Sequence, residues 1–283
     1  MTNPFATGMM TALSRRAVLA VTAAAALTLL AAGAEARSLQ EAKGAGAVVV
    51  GIQGDNSPWG FIDSTGAQDG FDADIAKAFA KHLGTDVKFT PLAVANRIPA
   101  LQTGKVDVLF ATMGMTAERA KTIQYSIPYA ANQLSIVAPK DMTVAGPADL
   151  GGKAVGVPRA SAMDTNFTAM APGNVTIRRF DDDAANIQAL LSGQVDAVGA
   201  NQFYTQRLET AAPGKYENKF GIGALYNGAG TRQGEKDWNE AINAFLADFM
   251  KTDEYKAIYK KWLHLDPPEF PASLEGVPFT VSN

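Results

Sequence analysis

The sequence contains no cysteine among its 283 residues. This absence excludes disulfide bonds, zinc–thiolate centres, thiol catalysis and lipid attachment through a thiol. Histidine occurs only twice, as His82 on the polar side of a predicted helix and His264 after the last predicted helix. Neither position favours a metal ligand or a catalytic base, and no phosphate-binding loop or metal-ligand cluster is present. We therefore predict a protein without a cofactor or a metal.

Runs of positive charge are also missing. The net charge is −3, the isoelectric point is about 5.5, and no cluster of lysine and arginine occurs. These values argue against a nucleic-acid or anionic-membrane partner. The hydrophobic fraction of 47% and the charged fraction of 19% are typical of globular proteins. The length suffices for one large domain or two domains of moderate size.

Only one stretch, near the N-terminus, is strongly apolar. "SRRAVLAVTAAAALTLLAAGAEA" contains Arg15 and Arg16, an apolar run, and a small-x-small site at residues 34–36. We predict that residues 1–36 are a cleaved export signal of twin-arginine type; a Sec-type signal and a membrane anchor are the alternatives. No other segment approaches the ~20 apolar residues that span a bilayer. The expected location is a periplasm.

Strand and helix patterns alternate after this signal. A buried-type strand at residues 48–52 leads into a helix that Asp72 is predicted to cap and Gly84 to end. Residues 98–112 and 187–201 agree at six of fifteen positions without a gap, and each predicts a helix, a glycine and a strand. The alternation favours parallel α/β architecture. The internal match indicates two similar lobes, although helix–glycine–strand segments are common in any α/β protein.

The match puts Thr112 and Asn201 at equivalent strand ends, where open α/β sheets bind ligands. We expect hinges near residues 131–133 and 221–224. The predicted layout is a first lobe at 44–132 plus 224–270, a second lobe at 133–223, and a C-terminal tail at 271–283.

Arg119 occupies an unusual place in "ATMGMTAERAKTIQYSIPY". Thr116 is predicted to cap a short helix, so Arg119 lies in its first turn, at the positive end of the helix dipole. This position makes sense if an anion binds between the guanidinium and the free amides of the turn. The alternative is an exposed arginine that pairs with Glu118 or another acid.

Five segments stand out along the chain, namely "GFDADIAKAFAKHLG", "NRIPALQTGKVDVLFATMGMTAERAKTIQYSIPY", "ADLGGKAVGV", "IQALLSGQVDAV" and "YKAIYKKWL". In this order they resemble the family 3 extracellular solute-binding proteins, which are polar amino-acid receptors of ABC importers. The resemblance extends from about residue 47 to residue 264. It implies a type II periplasmic-binding fold, with a mixed sheet in each of two lobes and a hinge of two crossings.

The resemblance also implies site residues. Arg119 would clamp a ligand α-carboxylate, helped by Thr112, the backbone around Gly114, and Ser161 of the second lobe. Arg97 matches a position that is arginine in some receptors for acidic amino acids; a solvated arginine at a helix start is the alternative.

Two departures from the family affect the predicted ligand. Asn201 stands where the family usually has an acid for the α-ammonium, and Asn56 replaces a common aromatic. Asp55 could supply the missing acid or be a turn residue, and Trp59 could form a wall of the site or belong to the packing. With Arg97 and Arg119 both in the site, anionic groups would be favoured.

These features predict a monomeric periplasmic binding protein that captures a small polar amino acid or carboxylate for an ABC permease and its ATPase. An acidic amino acid, glutamate or aspartate, is the expected ligand. The alternative is an enzyme on the same scaffold, such as a cyclohexadienyl dehydratase-like lyase. A sensory module is a third possibility, which the lack of a recognisable signalling domain disfavours.

Overall fold

The structure is a computed structural model, and it describes residues 36–282. The predicted export signal at residues 1–36 lies outside the described residues except for Ala36. In the described part, strands and helices alternate as the sequence predicts. The strands are β1 Ala47–Ile52, β2 Asp55–Asn56, β3 Gly60–Ile62, β4 Gln68–Asp69, β5 Asp86–Pro91, β6 Val108–Leu109, β7 Ile123–Pro139, β8 Ala154–Pro158, β9 Thr176–Phe180, β10 Ala197–Asn201 and β11 Tyr216–Arg232. The helices are α1 Leu39–Gly44, α2 Phe71–Leu83, α3 Arg97–Gln102, α4 Ala117–Ala120, α5 Ala162–Met170, α6 Asp183–Leu191, α7 Tyr204–Ala211, α8 Lys236–Phe249 and α9 Asp253–Leu263.

Eight strands form one mixed sheet in the order β5-β1-β6-β11-β7-β10-β8-β9, and β2, β3 and β4 form a small second sheet. We call the part around β1, β5 and β6 the first lobe and the part around β8, β9 and β10 the second lobe. Strands within each lobe pair in parallel, whereas β7 and β11 pair antiparallel to each other and join the two lobes. The predicted two-lobed α/β fold with two crossings is confirmed.

The internal sequence match has a counterpart in the sheet. Helix α3 leads to β6, which pairs with β1 and β11, and helix α6 leads to β10, which pairs with β8 and β7. From each outer edge towards the centre, the two lobes therefore have the same strand order. This topology confirms that residues 98–112 and 187–201 occupy equivalent places.

The two crossings are unusually long strands. Gln133 of β7 pairs with Ala224 of β11, and the register is irregular between Gly221 and Gly223. These positions coincide with the segments expected to act as hinges. Where each lobe begins and ends along the chain stays a prediction.

Aromatic side chains fill the core of the first lobe. Phe71 stacks with Tyr129 and makes edge contacts with Trp59 and Tyr259. Burying a large apolar side chain contributes about 1.5–3 kcal/mol, so this cluster stabilises the start of α2. The C-terminal tail packs on the same lobe, where Gln124 donates to the carbonyl of Pro278 at 2.7 Å.

Helix α2 does not begin as predicted. Its N-cap is Gly70, with φ at +117°, and Asp72 is a buried residue of the first turn rather than the cap. The amides of Phe71 and Asp72 donate to the carbonyls of Pro58 and Trp59 at 2.9 and 2.8 Å, so no side-chain cap is needed. The predicted end is confirmed, since Gly84 is the left-handed C-cap with φ at +70°.

None of the helices in the range 36–282 combines the length and the apolar character required for a membrane crossing.

Replacing Gly70 with alanine should destabilise the first lobe strongly. A Cβ there would lie 2.6 Å from the carbonyl oxygen of Trp59, in a backbone conformation that is essentially restricted to glycine. The free energy of unfolding should fall by about 2 kcal/mol or more beyond the loss in the matched variant Gly66→Ala. Gly66 also has positive φ, at +86°, but a Cβ added there would meet no atom within 4 Å. Urea unfolding of both variants measures the difference, and equal losses would contradict the expected clash.

Candidate functional site

A cavity lies between the two lobes, with about 450 Å³ of space that includes its opening to solvent. Seven of the nine predicted site residues line it, namely Asn56, Arg97, Thr112, Gly114, Arg119, Ser161 and Asn201. Strands β7 and β11 contribute Asn132, Leu134 and Leu225 to the wall. The cavity therefore lies at the strand ends of both lobes, beside the crossing strands.

Arg119 connects the two lobes at this cavity. Thr116 caps α4 as predicted, accepting a hydrogen bond from the amide of Arg119 at 3.3 Å. The guanidinium donates from Nη1 to the carbonyl of Gly114 at 3.0 Å and from Nη2 to the carbonyl of Ala160 in the second lobe at 2.6 Å. Glu118 pairs instead with Lys121, so the alternative pairing of Arg119 with Glu118 is wrong.

Helix α5 begins at the same end of the cavity. Ser161 is its N-cap and accepts from the amide of Asp164 at 2.9 Å, and Ser161, Ala162 and Met163 all line the wall. The amides at a helix N-terminus attract anions, and a guanidinium adds a full positive charge. The arrangement can therefore bind a carboxylate.

Thr112 is held in a strained conformation by a buried acid. Its φ is +51°, which is uncommon for a β-branched residue. The Asp72 carboxylate accepts from the amide and the hydroxyl of Thr112 at 2.7 and 3.0 Å and from the Tyr129 hydroxyl at 2.7 Å. Complete burial raises the pKa of Asp72 to about 6. Asp72 thus positions Thr112 at the cavity, which the sequence did not indicate.

Arg97 lies in the wall and is only 3% exposed, so the interpretation as a solvated arginine is wrong. Its Nε donates to the carbonyl of Val94 at 3.0 Å, and its Nη1 donates to the carbonyls of Ala111 and Thr112 at 2.6 and 3.2 Å. Burial and, secondarily, the charge of Arg119 lower its pKa to about 9. Arg97 therefore supports the backbone beside Thr112 as well as lining the cavity.

A chain of buried side-chain hydrogen bonds forms another part of the cavity wall. Asn201 donates to Asn56 at 3.0 Å, Asn56 donates to Gln53 at 3.1 Å, and Gln53 donates to Asp183 at 2.8 Å. The Tyr204 hydroxyl donates to the other oxygen of Asp183. We call these five residues the carboxamide chain. It passes from the second lobe to the first and back, and every donor points towards Asp183.

Sequence reasoning missed Gln53, Asp183, Tyr204 and Asn132. Gln53 directly follows β1, so the strand-end rule that selected Thr112 would also have found it. Asp183 is one of three successive aspartates, and the sequence does not indicate which of them faces inward.

Two predicted residues do not line the cavity. Trp59 is fully buried against Phe71 and Phe203 and belongs to the packing. The Asp55 carboxylate accepts from the amide of Ala184, in the first turn of α6, at 2.9 Å. Burial and, secondarily, the charge of Asp183 raise the pKa of Asp55 to about 6. Asp55 is therefore a contact between the lobes rather than part of the wall.

Comparison with known proteins shows that this chain is similar to solute-binding proteins. The family profile for bacterial extracellular solute-binding proteins, family 3, matches residues 48–265. The L-cystine-binding protein TcyJ of Escherichia coli K12 is 27% identical over 271 residues, covering 90% of this chain and 97% of that protein. The ABC transporter glutamine-binding protein GlnH of Bacillus subtilis 168 is 30% identical over 231 residues, covering 78% and 83%.

Solved structures agree with this placement. A solute receptor for L-cysteine of Neisseria gonorrhoeae has a TM-score of 0.76 at 29% identity, covering 80% of this chain and 94% of the receptor. An ancestral amino acid-binding protein described as a precursor of cyclohexadienyl dehydratase has a TM-score of 0.73 at 30% identity, covering 79% and 98%.

The variant Asp55→Asn should gain stability relative to the wild type as the pH rises. The folded-state pKa of Asp55 is about 6, above the ordinary 3.8, so folding favours the protonated carboxyl group. The contribution of Asp55 to the free energy of unfolding is therefore fully present below about pH 4 and is lost as the pH rises through 6. Asparagine still accepts from Ala184 and has no such loss. The difference in unfolding free energy should grow by ~1–2 kcal/mol between pH 4 and pH 7.5.

Thermal unfolding across this pH range measures the difference. Asp72, whose pKa is also about 6, titrates in both proteins and cancels. Asp181→Asn removes an equal charge from an exposed pair with Arg159 and serves as the control. A difference between Asp55→Asn and the wild type that does not change with pH would contradict the expectation.

Proposed function

We propose a ligand-capture function for this chain, which belongs to the bacterial extracellular solute-binding proteins of family 3. The chain would bind a small amino acid in the cavity between its lobes and deliver it to the permease and ATPase of an ABC importer. It would act as a monomer in the periplasm, after removal of the export signal. The observation that carries this proposal is the guanidinium of Arg119, which bridges Gly114 and Ala160 beside the first turn of α5.

The α-carboxylate is the group that best fits this end of the cavity. A guanidinium has five N–H donors in a planar fork, and the two carbonyl contacts of Arg119 use only part of that capacity. Gly114 brings its backbone close to the guanidinium, since a Cβ there would lie 3.8 Å from Nη1 of Arg119 and 3.1 Å from Leu225. A planar carboxylate could therefore accept from Arg119 and from the amides at the start of α5.

Ligand binding would close the two lobes. The contacts of Arg119 with Ala160, of Gln53 with Asp183 and of Asn201 with Asn56 all join one lobe to the other. They can form only when the lobes approach each other. A ligand that touches both walls would favour this closed arrangement over an open one, because only the closed arrangement satisfies all of its polar groups.

The proposal also covers the chemical type of the ligand's side chain. An acidic side chain, as in glutamate or aspartate, would require Arg97 as its partner, and donation to three backbone carbonyls from Nε and Nη1 leaves mainly Nη2 of Arg97 for a ligand. The carboxamides of Gln53, Asn56 and Asn201 each keep a second amide hydrogen beyond the bonds of the carboxamide chain, so they can donate to a neutral polar group. We therefore favour a neutral polar side chain and keep the acidic amino acids as the second candidate.

Calorimetry and thermal unfolding with a panel of L-amino acids test the binding function. The panel contains glutamine, cystine, cysteine, glutamate, aspartate, arginine and histidine. At 100 times its dissociation constant, a true ligand should stabilise the protein by ~2.7 kcal/mol and so raise its melting temperature. No binding by any member would overturn the proposed function.

The variant Arg119→Lys should weaken the tightest panel ligand by about 10- to 100-fold, because lysine cannot form the paired hydrogen bonds of a guanidinium. Arg179→Lys is the matched control, since Arg179 pairs with Asp164 at 2.9 Å away from the cavity wall. Equal affinities of the two variants would show that Arg119 does not hold the ligand.

We further propose binding without turnover. Asp183 is the one acidic residue among the described cavity-lining side chains, and Gln53 and Tyr204 both donate to it. Incubation of the protein with prephenate, followed by chromatography of the products, should show no conversion above a heated control. Product formation that Asp183→Asn abolishes would favour the dehydratase-like alternative instead.

A further inference from the structure

The cavity wall carries charges of both signs. Arg97, Arg119 and the start of α5 line it, and Asp183 is the acid that the described wall contains. Asp183 is only 4% exposed, so its interaction with any cation in the cavity would be poorly screened by water. A molecule with both a positive and a negative group would match these charges.

Asp183 has room for another donor. A carboxylate offers about four acceptor sites. Gln53 and Tyr204 each donate to one oxygen, and the nearest guanidinium nitrogen of Arg207 is 3.9 Å away, beyond hydrogen-bond distance. An ammonium group in the cavity could therefore donate to Asp183 without displacing either neighbour.

Asn201 is a poorer acceptor for that group. Its Nδ2 donates to Asn56 at 3.0 Å, and its Oδ1 accepts from the amide of Phe203 at 3.0 Å. Both polar atoms therefore already have partners that hold the side chain in the wall. The carboxamide chain that starts at Asn201 ends at the charge of Asp183.

Asn132 supplies a second, independent observation. This residue of β7 is 6% exposed and lines the cavity, and its Oδ1 has no hydrogen-bond partner among the described residues. Leaving a buried oxygen without a hydrogen-bond donor is destabilising, and a donor on a ligand would remove that cost. The wall thus contains an unpaired acceptor, Asn132 Oδ1, in addition to the carboxylate of Asp183.

We infer that Asp183 is the anionic partner of the ligand's ammonium group, with Asn132 as an additional acceptor. This assignment rests on the proposed function and makes Asp183 a specificity-determining residue. It distinguishes amino acids from the corresponding carboxylic acids that lack the ammonium group. Gln53 and Tyr204 then hold the carboxylate in position.

The test compares each amino acid with its deaminated analogue in calorimetry. Suitable pairs are L-glutamine with glutaramate, L-glutamate with glutarate, and L-arginine with 5-guanidinopentanoate. The preference is the ratio of the two dissociation constants. In the wild type the amino acid should bind at least about 10-fold more tightly, and Asp183→Asn should reduce that preference by about 10-fold or more.

Three further variants separate the electrostatic role of Asp183 from a structural one. Asp181→Asn removes an exposed charge two residues away and should leave the preference unchanged. Gln53→Leu removes a donor to Asp183 but keeps the charge, so it should weaken both members of a pair while the preference persists. Asn132→Leu should lower the preference about 3- to 10-fold. If Asp183→Asn folds poorly, Asn132→Leu tests the inference independently.

The outcomes are distinct. A normal preference in both Asp183→Asn and Asn132→Leu, or equal weakening of both members of each pair, would overturn the inference and leave the proposed function intact. Failure of every amino acid in the panel to bind the wild type would overturn both.

Discussion

The contact on which this site depends is the guanidinium of Arg119 between two backbone carbonyls. One carbonyl, that of Gly114, belongs to the first lobe, and the other, that of Ala160, belongs to the second. Because α4 is a single capped turn, Arg119 lies close to both of its ends, and the helix dipole alone neither favours nor disfavours a cation there. The position of the side chain is explained instead by its contact with the carbonyl of Ala160, which requires both lobes.

Strain and burial around the site serve the same geometry. Asp72 is buried at the start of α2, yet its carboxylate holds the left-handed Thr112, and Arg97 supports the same backbone through the carbonyls of Ala111 and Thr112. Burying these charges without full ion pairing costs stability. The two buried side chains therefore hold the backbone beside the cavity at a cost in stability.

Features with local causes could be read from the sequence. The cap at Thr116, the helix end at Gly84, the order of strands and helices, and the strand-end positions of Thr112 and Asn201 follow from turn chemistry, periodicity and the internal match. Features that depend on packing could not be read. The sequence around Asp72 is typical of an N-cap, but the N-cap is Gly70. Trp59 could equally line a site, but Phe71 and Phe203 enclose it in the core. Nothing in the local sequence distinguishes Asp183, which faces the cavity, from Asp181.

The paired strands β7 and β11 have a mechanical consequence. Their backbone ladder continues from one lobe into the other, with its irregular step between Gly221 and Gly223. A two-stranded ribbon of this kind can bend and twist while its ladder stays intact, but it cannot lengthen. The lobes can then rotate about the ribbon without sliding past each other, so each closure brings the same pairs of atoms back together. The width of the cavity opening can vary while the two walls stay aligned.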